Sequence, residues 1–245
     1  MRSWPQALIK LLDQNRALAR EFCADGLSYK VQKLSHFPEL FKPYLPLTEH
    51  IEEILGNCTI QGFHSTRLTD IEIKSIKTEG LKLPTYEFLS RKIEKLPCLD
   101  SLTKQGMLST IGAEEKRHEI NDPCIYFCLS KRLLSNASAT HRFFRNWGGE
   151  IIYHQIEGNN NFKDALQIGK PAIIVANLRP SLIRTRNDIV TMVIRRYVEY
   201  LEPFGDPEVF ECWLRQEMPP HEIEGILRFG ELRFACLTNY TEEVP

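Results

Sequence analysis

A strand that runs straight into a capped helix constrains this chain more than any other feature. Residues 62–81 read Gly-Phe-His-Ser-Thr-Arg-Leu-Thr-Asp-Ile-Glu-Ile-Lys-Ser-Ile-Lys-Thr-Glu-Gly-Leu. The apolar start delivers His64, Ser65, Thr66 and Arg67 to the end of a strand, Thr69-Asp70 opens a helix, and Gly80 closes it. An imidazole, a hydroxyl and a guanidinium thus stand beside a helix N-terminus, where backbone N–H groups and the dipole favour a phosphate. An ordinary β-α unit with a satisfied histidine is the plain alternative, and two later segments bear on the choice.

The first is Pro123-Cys124-Ile125-Tyr126-Phe127-Cys128-Leu129-Ser130, a compact β-branched and aromatic strand. A tyrosine there suits stacking on a flat heterocycle, because its ring is apolar while its hydroxyl stays available. Alternation sends Phe127 to the opposite side of the strand. The second is Val209-Phe210-Glu211-Cys212-Trp213-Leu214, followed by a charged turn, Pro219-Pro220, and a further strand over Gly225–Phe229. A lone carboxylate among Val, Phe, Cys, Trp and Leu is costly to bury without a partner or a task, unless it lies on the solvent face of an edge strand.

Taken in order, these three segments resemble the ADP-ribosyltransferase superfamily, in its His-Tyr-Glu class. The His-x-Thr strand with its Ile…Gly-Leu helix, the Ile-Tyr-Phe strand and the late strand before Pro-Pro-x-x-Ile carry the likeness, over about residues 58–230. The late strand is similar to that of bacterial toxins that ADP-ribosylate nucleic acid, and its register places the catalytic carboxylate at Glu211 rather than Glu217. The resemblance implies an α+β fold with a split β-sheet core flanked by helices, and NAD as co-substrate. It implies that Glu211, Tyr126 and His64 are catalytic, and that His64, Ser65, Thr66, Arg67 and Tyr126 bind NAD. Glu211 would hold the nicotinamide-ribose 2′-hydroxyl, Tyr126 would stack on nicotinamide, His64 and Thr66 would hold the adenosine side, and Arg67 would meet the pyrophosphate. The implied setting is a bacterial toxin or anti-phage effector restrained by an antitoxin, acting on nucleic acid. The alternatives are a protein target, or a non-catalytic nucleotide- or partner-binding module. Val209 stands where arginine-modifying relatives carry an acid or Gln, and no Ser-Thr-Ser strand is present, so the Arg-Ser-Glu class is disfavoured.

The remaining sequence frames these motifs. Residues 5–24 predict a helix, Thr48–Leu55 another, and residues 1–57 a helical N-terminal extension to an ADP-ribosyltransferase-like domain at 58–245. Residues 131–148 predict a helix, Glu150–Gln155 a strand and Ala172–Val175 a buried strand, while 187–201 suits a helix by period and a strand by β-branching. Trp147-Gly148-Gly149-Glu150 is distinctive but suggests no chemistry by itself. Glu150 is a candidate to organise the site.

Charge and cysteine content narrow the partners. The net charge is −1, yet Arg179, Arg184, Arg186, Arg195 and Arg196 face a single acid, Asp188, over a short stretch. That block predicts either an anion-binding groove or a solvated helix face. Seven cysteines without a Cys-x-x-Cys pair read as thiols of a cytoplasmic chain. His118, Cys124 and Cys128 lack a closed ligand spacing, so no metal is expected. No apolar run approaches the roughly 20 residues of a membrane span.

Overall fold

The computed structural model describes residues 4–24, 41–115, 123–136, 140–149, 152, 162–185, 188–202 and 210–241. In chain order its elements are α1 (Gln6–Gln14), α2 (Arg16–Ala24), a 3-10 turn (Lys42–Tyr44) leading into α3 (Leu45–Gly56), β1 (Ile60–Leu68), α4 (Asp70–Glu79), α5 (Tyr86–Glu94), α6 (Ser101–Glu115) and β2 (Ile125–Cys128). Then come α7 (His141–Arg145), α8 (Lys163–Leu166), β3 (Lys170–Leu178), α9 (Ile189–Leu201), β4 (Glu211–Leu214), β5 (Ile223–Arg228) and α10 (Leu232–Thr238). The class is α+β. Among the described residues five strands form one sheet in the order β4-β2-β1-β3-β5, with β4 and β5 as its edges. No helix among the described residues is long and apolar enough to cross a membrane.

The chain divides into two compact units, Met1–Ile60 with Leu178–Cys212, and Gln61–Asn177 with Trp213–Pro245. The first therefore joins to the N-terminal helices a later segment that lies, by sequence, inside the expected catalytic domain. Its core interleaves Leu8 and Leu12 of α1, Ala19 and Phe22 of α2, Leu47, Ile51 and Leu55 of α3, and Val190, Ile194, Tyr197 and Val198 of α9. Tyr197 donates its hydroxyl proton to Asp13 at 2.7 Å and accepts from Arg16 Nε at 3.3 Å, so even the polar contacts tie α9 back to α1 and α2. The basic block does not form one continuous face. Arg195 is buried, and Arg196 pairs with Glu199 at 2.6 Å, while Arg186 lies outside the described residues.

The second unit holds the sheet except for its outermost strand residues. β3 is buried along almost its whole length, which explains its continuous apolar run. It pairs antiparallel with β5, Ile174 opposite Ile226, and a bulge after Val175 shifts the register so that Ala176 meets Ile223. Phe63, Ile173, Val175 and Leu227 pack with Phe144, Phe234 and Tyr240 into one core. A second core joins Leu89 and Ile93 of α5, Met107 and Ile111 of α6, Trp147, Ile152 and Phe162. After α4 the chain turns at Gly80, whose φ of 82° brings Leu81 into a two-way backbone pair with Met218 at 2.9 Å in each direction. A Cβ at Gly80 would lie 1.9 Å from the Met218 oxygen, so the turn demands glycine.

Several sequence expectations change in detail. The helix expected over 5–24 is two, broken at Asn15, whose side-chain amide donates to the Leu11 carbonyl at 2.9 Å. The helix expected over 131–148 is a 3-10 turn at Lys131–Ser135 followed by the short α7. The strand expected at Glu150–Gln155 lies outside the described residues apart from Ile152, as does Glu150 itself.

Candidate functional site

β1 and β2 run antiparallel with Phe63 opposite Cys128, the one register pair between them among the described residues. One step along, His64 meets Phe127, with ring centroids 5.8 Å apart. His64 Nδ1 lies 2.8 Å from the Tyr126 carbonyl oxygen. A carbonyl only accepts, so Nδ1 carries the proton and Nε2 keeps its lone pair for another donor. Burial pushes the His64 pKa down, the Tyr126 carbonyl opposes that by favouring the imidazolium, and the Lys92 charge lowers it further. The net direction is downward from 6.5.

That shift has a sign that can be checked. The unfolded chain binds a proton at His64 before the folded chain does, so stability is full above the unfolded value and falls as the pH drops towards the folded one. Between about pH 7.5 and 5.5, the melting temperature of the wild type is expected to fall more steeply than that of His64→Gln. Parallel profiles for the two proteins would remove the depressed titration.

Tyr126 reaches the histidine with its main chain, not its ring. Phe127 is 1% exposed whereas Tyr126 is 52% exposed, as alternation along β2 requires. The Tyr126 ring instead neighbours Trp213 of β4, at 6.1 Å between centroids and 47° between planes. In the sequence Trp213 stands only as part of the apolar setting of Glu211. The signal that marks it out is the alternation Glu211-Cys212-Trp213-Leu214, in which Cys212 and Leu214 are buried, Trp213 is half-buried and Glu211 is exposed. Glu211 opens this edge strand on its outer face, so the desolvation argument for its importance does not hold.

The remaining residues of the β1 motif divide. Among the described residues the buried Ser65 Oγ has no hydrogen-bond partner, so it asks for a ligand or water. Thr66 is buried, and its hydroxyl donates to the Arg67 carbonyl over a long 3.4 Å. Arg67 is 4% exposed. Its Nε donates to the Ile168 carbonyl at 3.2 Å, Nη1 to Phe144 at 2.7 Å, and Nη2 to Gln167 at 3.1 Å and Gly169 at 2.8 Å. Gly169, at φ 74°, lies so close to β1 that a Cβ there would fall 2.6 Å from the Leu68 carbonyl carbon. Arg67 thus clamps the turn before β3 onto the end of β1, and its three nitrogens are spent on main chain rather than presented to a pyrophosphate.

The N-terminus of α4 is likewise occupied by the chain itself. Thr69 donates its backbone N–H at 2.7 Å and its hydroxyl at 2.8 Å to Glu72 Oε2, and Glu72 N–H returns a bond to Thr69 Oγ1 at 3.2 Å. This is a capping box. Trp147 Nε1 donates to the same carboxylate at 3.2 Å, Lys92 pairs with it at 2.6 Å, and the Lys92 ammonium sits 4.6 Å over the Trp147 ring. Burial raises the Glu72 pKa, but the Lys92 charge and the hydrogen bonds from Lys92 and Thr69 outweigh it, and the net shift is downward. The anion expected at this helix start is therefore Glu72, and the Trp-Gly-Gly segment supplies one of its donors.

Outside the sheet, a cavity of about 460 Å³ opens in the first unit, lined by Gly56, Asn57, Cys58, Thr59, Arg179, Pro180 and Ser181. It contains none of the expected site residues. Among the described residues no group of three or more His, Cys, Asp or Glu side chains is placed to hold a metal, and His118 lies outside them. No family model, curated protein or solved structure matches this chain.

Proposed function

We propose that the chain transfers ADP-ribose from NAD to a macromolecule, with nucleic acid as the acceptor, on an ADP-ribosyltransferase-like arrangement of its sheet. The observation that carries this reading is strand order. His64, Tyr126 and Glu211 lie on β1, β2 and β4, which are consecutive in the sheet. The Tyr126 ring is exposed for a flat heterocycle, and the register puts Ser65 on the same face, where its buried hydroxyl has no partner among the described residues, whereas the His64 ring lies on the opposite face with Phe127. The ring and the hydroxyl on that face are groups that a nucleotide with a ribose and a pyridinium ring can satisfy.

The chemistry assigned to each follows from charge. Breaking the bond from ribose C1′ to nicotinamide leaves positive charge on the sugar, which a fixed carboxylate at Glu211 stabilises. Tyr126 holds the leaving ring by stacking, so that binding converts to orientation, and His64 positions Tyr126 through the bond to its carbonyl. Arg67 is left out of the cofactor contacts. A toxin or anti-phage effector restrained by an antitoxin is the setting this activity suits.

The test incubates the protein with NAD labelled in its adenylate, separately with DNA, RNA and cell lysate. Label on a nucleic acid is the expected result. Label only on protein moves the acceptor class, and an absence of NAD binding, nicotinamide release and label transfer in every mixture sinks the enzyme reading.

A further inference from the structure

We propose that Trp213 is the platform on which the acceptor nucleobase stacks, beside the carboxylate that drives transfer. The inference rests on the transferase reading and deepens it, since it commits the acceptor to a single-stranded nucleic acid. Its basis is the outer face of β4. Glu211 and Trp213 are two residues apart and share that face, about 6.6 Å apart along the strand. The same alternation leads on to Arg215, which is exposed just beyond the strand. A carboxylate, an indole and a guanidinium thus follow one another along a sheet edge. The first is suited to a developing cation, the second to any base through its π-face, and the third to a phosphate.

The other two tryptophans show what a structural one looks like in this fold. Trp147 is fully buried and spends its N–H on Glu72, and Trp4 packs against the core of the first unit. Trp213 is half-buried at a sheet edge, and its ring neighbour is the exposed Tyr126. Two tilted aromatic rings at one edge provide separate surfaces, Tyr126 for the leaving nicotinamide and Trp213 for the incoming base. In the transfer step a nitrogen or oxygen of the base bonds to ribose C1′ as the bond from C1′ to nicotinamide N1 breaks. The electron pair of that bond leaves with nicotinamide, which becomes neutral, and the proton shed by the base passes to Glu211 and then to water.

The experiment titrates the full chain with a mixed-sequence single-stranded DNA and its RNA counterpart, following tryptophan fluorescence and the anisotropy of the labelled strand without NAD. Stacking is expected to quench the wild type. Trp213→Phe is expected to bind with similar affinity but to lose that quench, and Trp213→Ala to bind about tenfold more weakly. With labelled NAD, transfer to the strand at limiting concentration is expected to drop about tenfold in Trp213→Ala and to recover in Trp213→Phe. The melting temperatures of both variants separate this loss from unfolding. Quenching and weakened binding without any label transfer would keep the platform and sink the transferase. Label transfer to the strand that Trp213→Ala leaves intact would do the reverse. Label confined to protein, with no strand binding, would overturn the inference.

Discussion

Replacing Arg67 with methionine is expected to destabilise the second unit by about 3–5 kcal/mol, at or above the top of the usual range for a point substitution. The side chain is 4% exposed, and it bonds four main-chain carbonyls, those of Phe144, Gln167, Ile168 and Gly169. Hydrogen bonds to a charged group contribute roughly 1.5–3 kcal/mol each, and the cost of desolvating the guanidinium offsets part of that sum. Methionine fills most of the volume but leaves the carbonyls without donors, which is the expensive half of the exchange. Lysine keeps the charge yet lacks the planar fork, so Arg67→Lys is expected to fall between the two. At roughly 2–4 °C per kcal/mol for a chain of this size, the methionine variant should melt about 6–20 °C below the wild type. A shift of under about 2 °C would free Arg67 from its structural task and reopen a phosphate contact.

The fate of Arg67 shows where sequence reading stops. Its place in the chain is legible, because β1, the Thr69 cap and the Gly80 stop are all local signals, and α4 spans Asp70–Glu79 as they require. Its partners are not, since they lie more than seventy residues away and are carbonyls, which carry no side-chain signature. The same holds for Glu72, whose capping role is local but whose bond to Trp147 is not. Over residues 187–201 β-branching and helical period conflict. Asp188 resolves the conflict by accepting from Val190 N–H at 2.8 Å and Thr191 N–H at 3.2 Å, a cap that starts α9 despite its valines and isoleucines. The break at Asn15 is hidden for the opposite reason, since apolar spacing continues through it while its side chain competes for a helix carbonyl. The cost of burial draws attention to Glu211 in the sequence, yet the residue is exposed. Its interest rests instead on strand order and on the outer face it shares with Trp213.

Glu211→Gln is expected to lower label transfer from NAD by about 10²–10³-fold while leaving the melting temperature nearly unchanged. The two halves of that expectation belong together. Gln keeps the shape and the hydrogen-bonding reach of the side chain but removes the negative charge, so it isolates the electrostatic contribution to the sugar cation. Because Glu211 is exposed at the start of an edge strand, the fold has little to lose from the change. Glu217 supplies the control, since it lies in the turn after β4, pairs with Lys82 at 2.8 Å and is about half exposed. Glu217→Gln removes a surface ion pair of about 0–1 kcal/mol and is expected to transfer label at the wild-type rate. If Glu217 proves the sensitive position and Glu211 the silent one, the register along β4 is wrong by the length of the turn, and the carboxylate must be sought beyond the strand. If both variants transfer normally, the charge that stabilises the sugar comes from neither, and the His-Tyr-Glu assignment loses its third member.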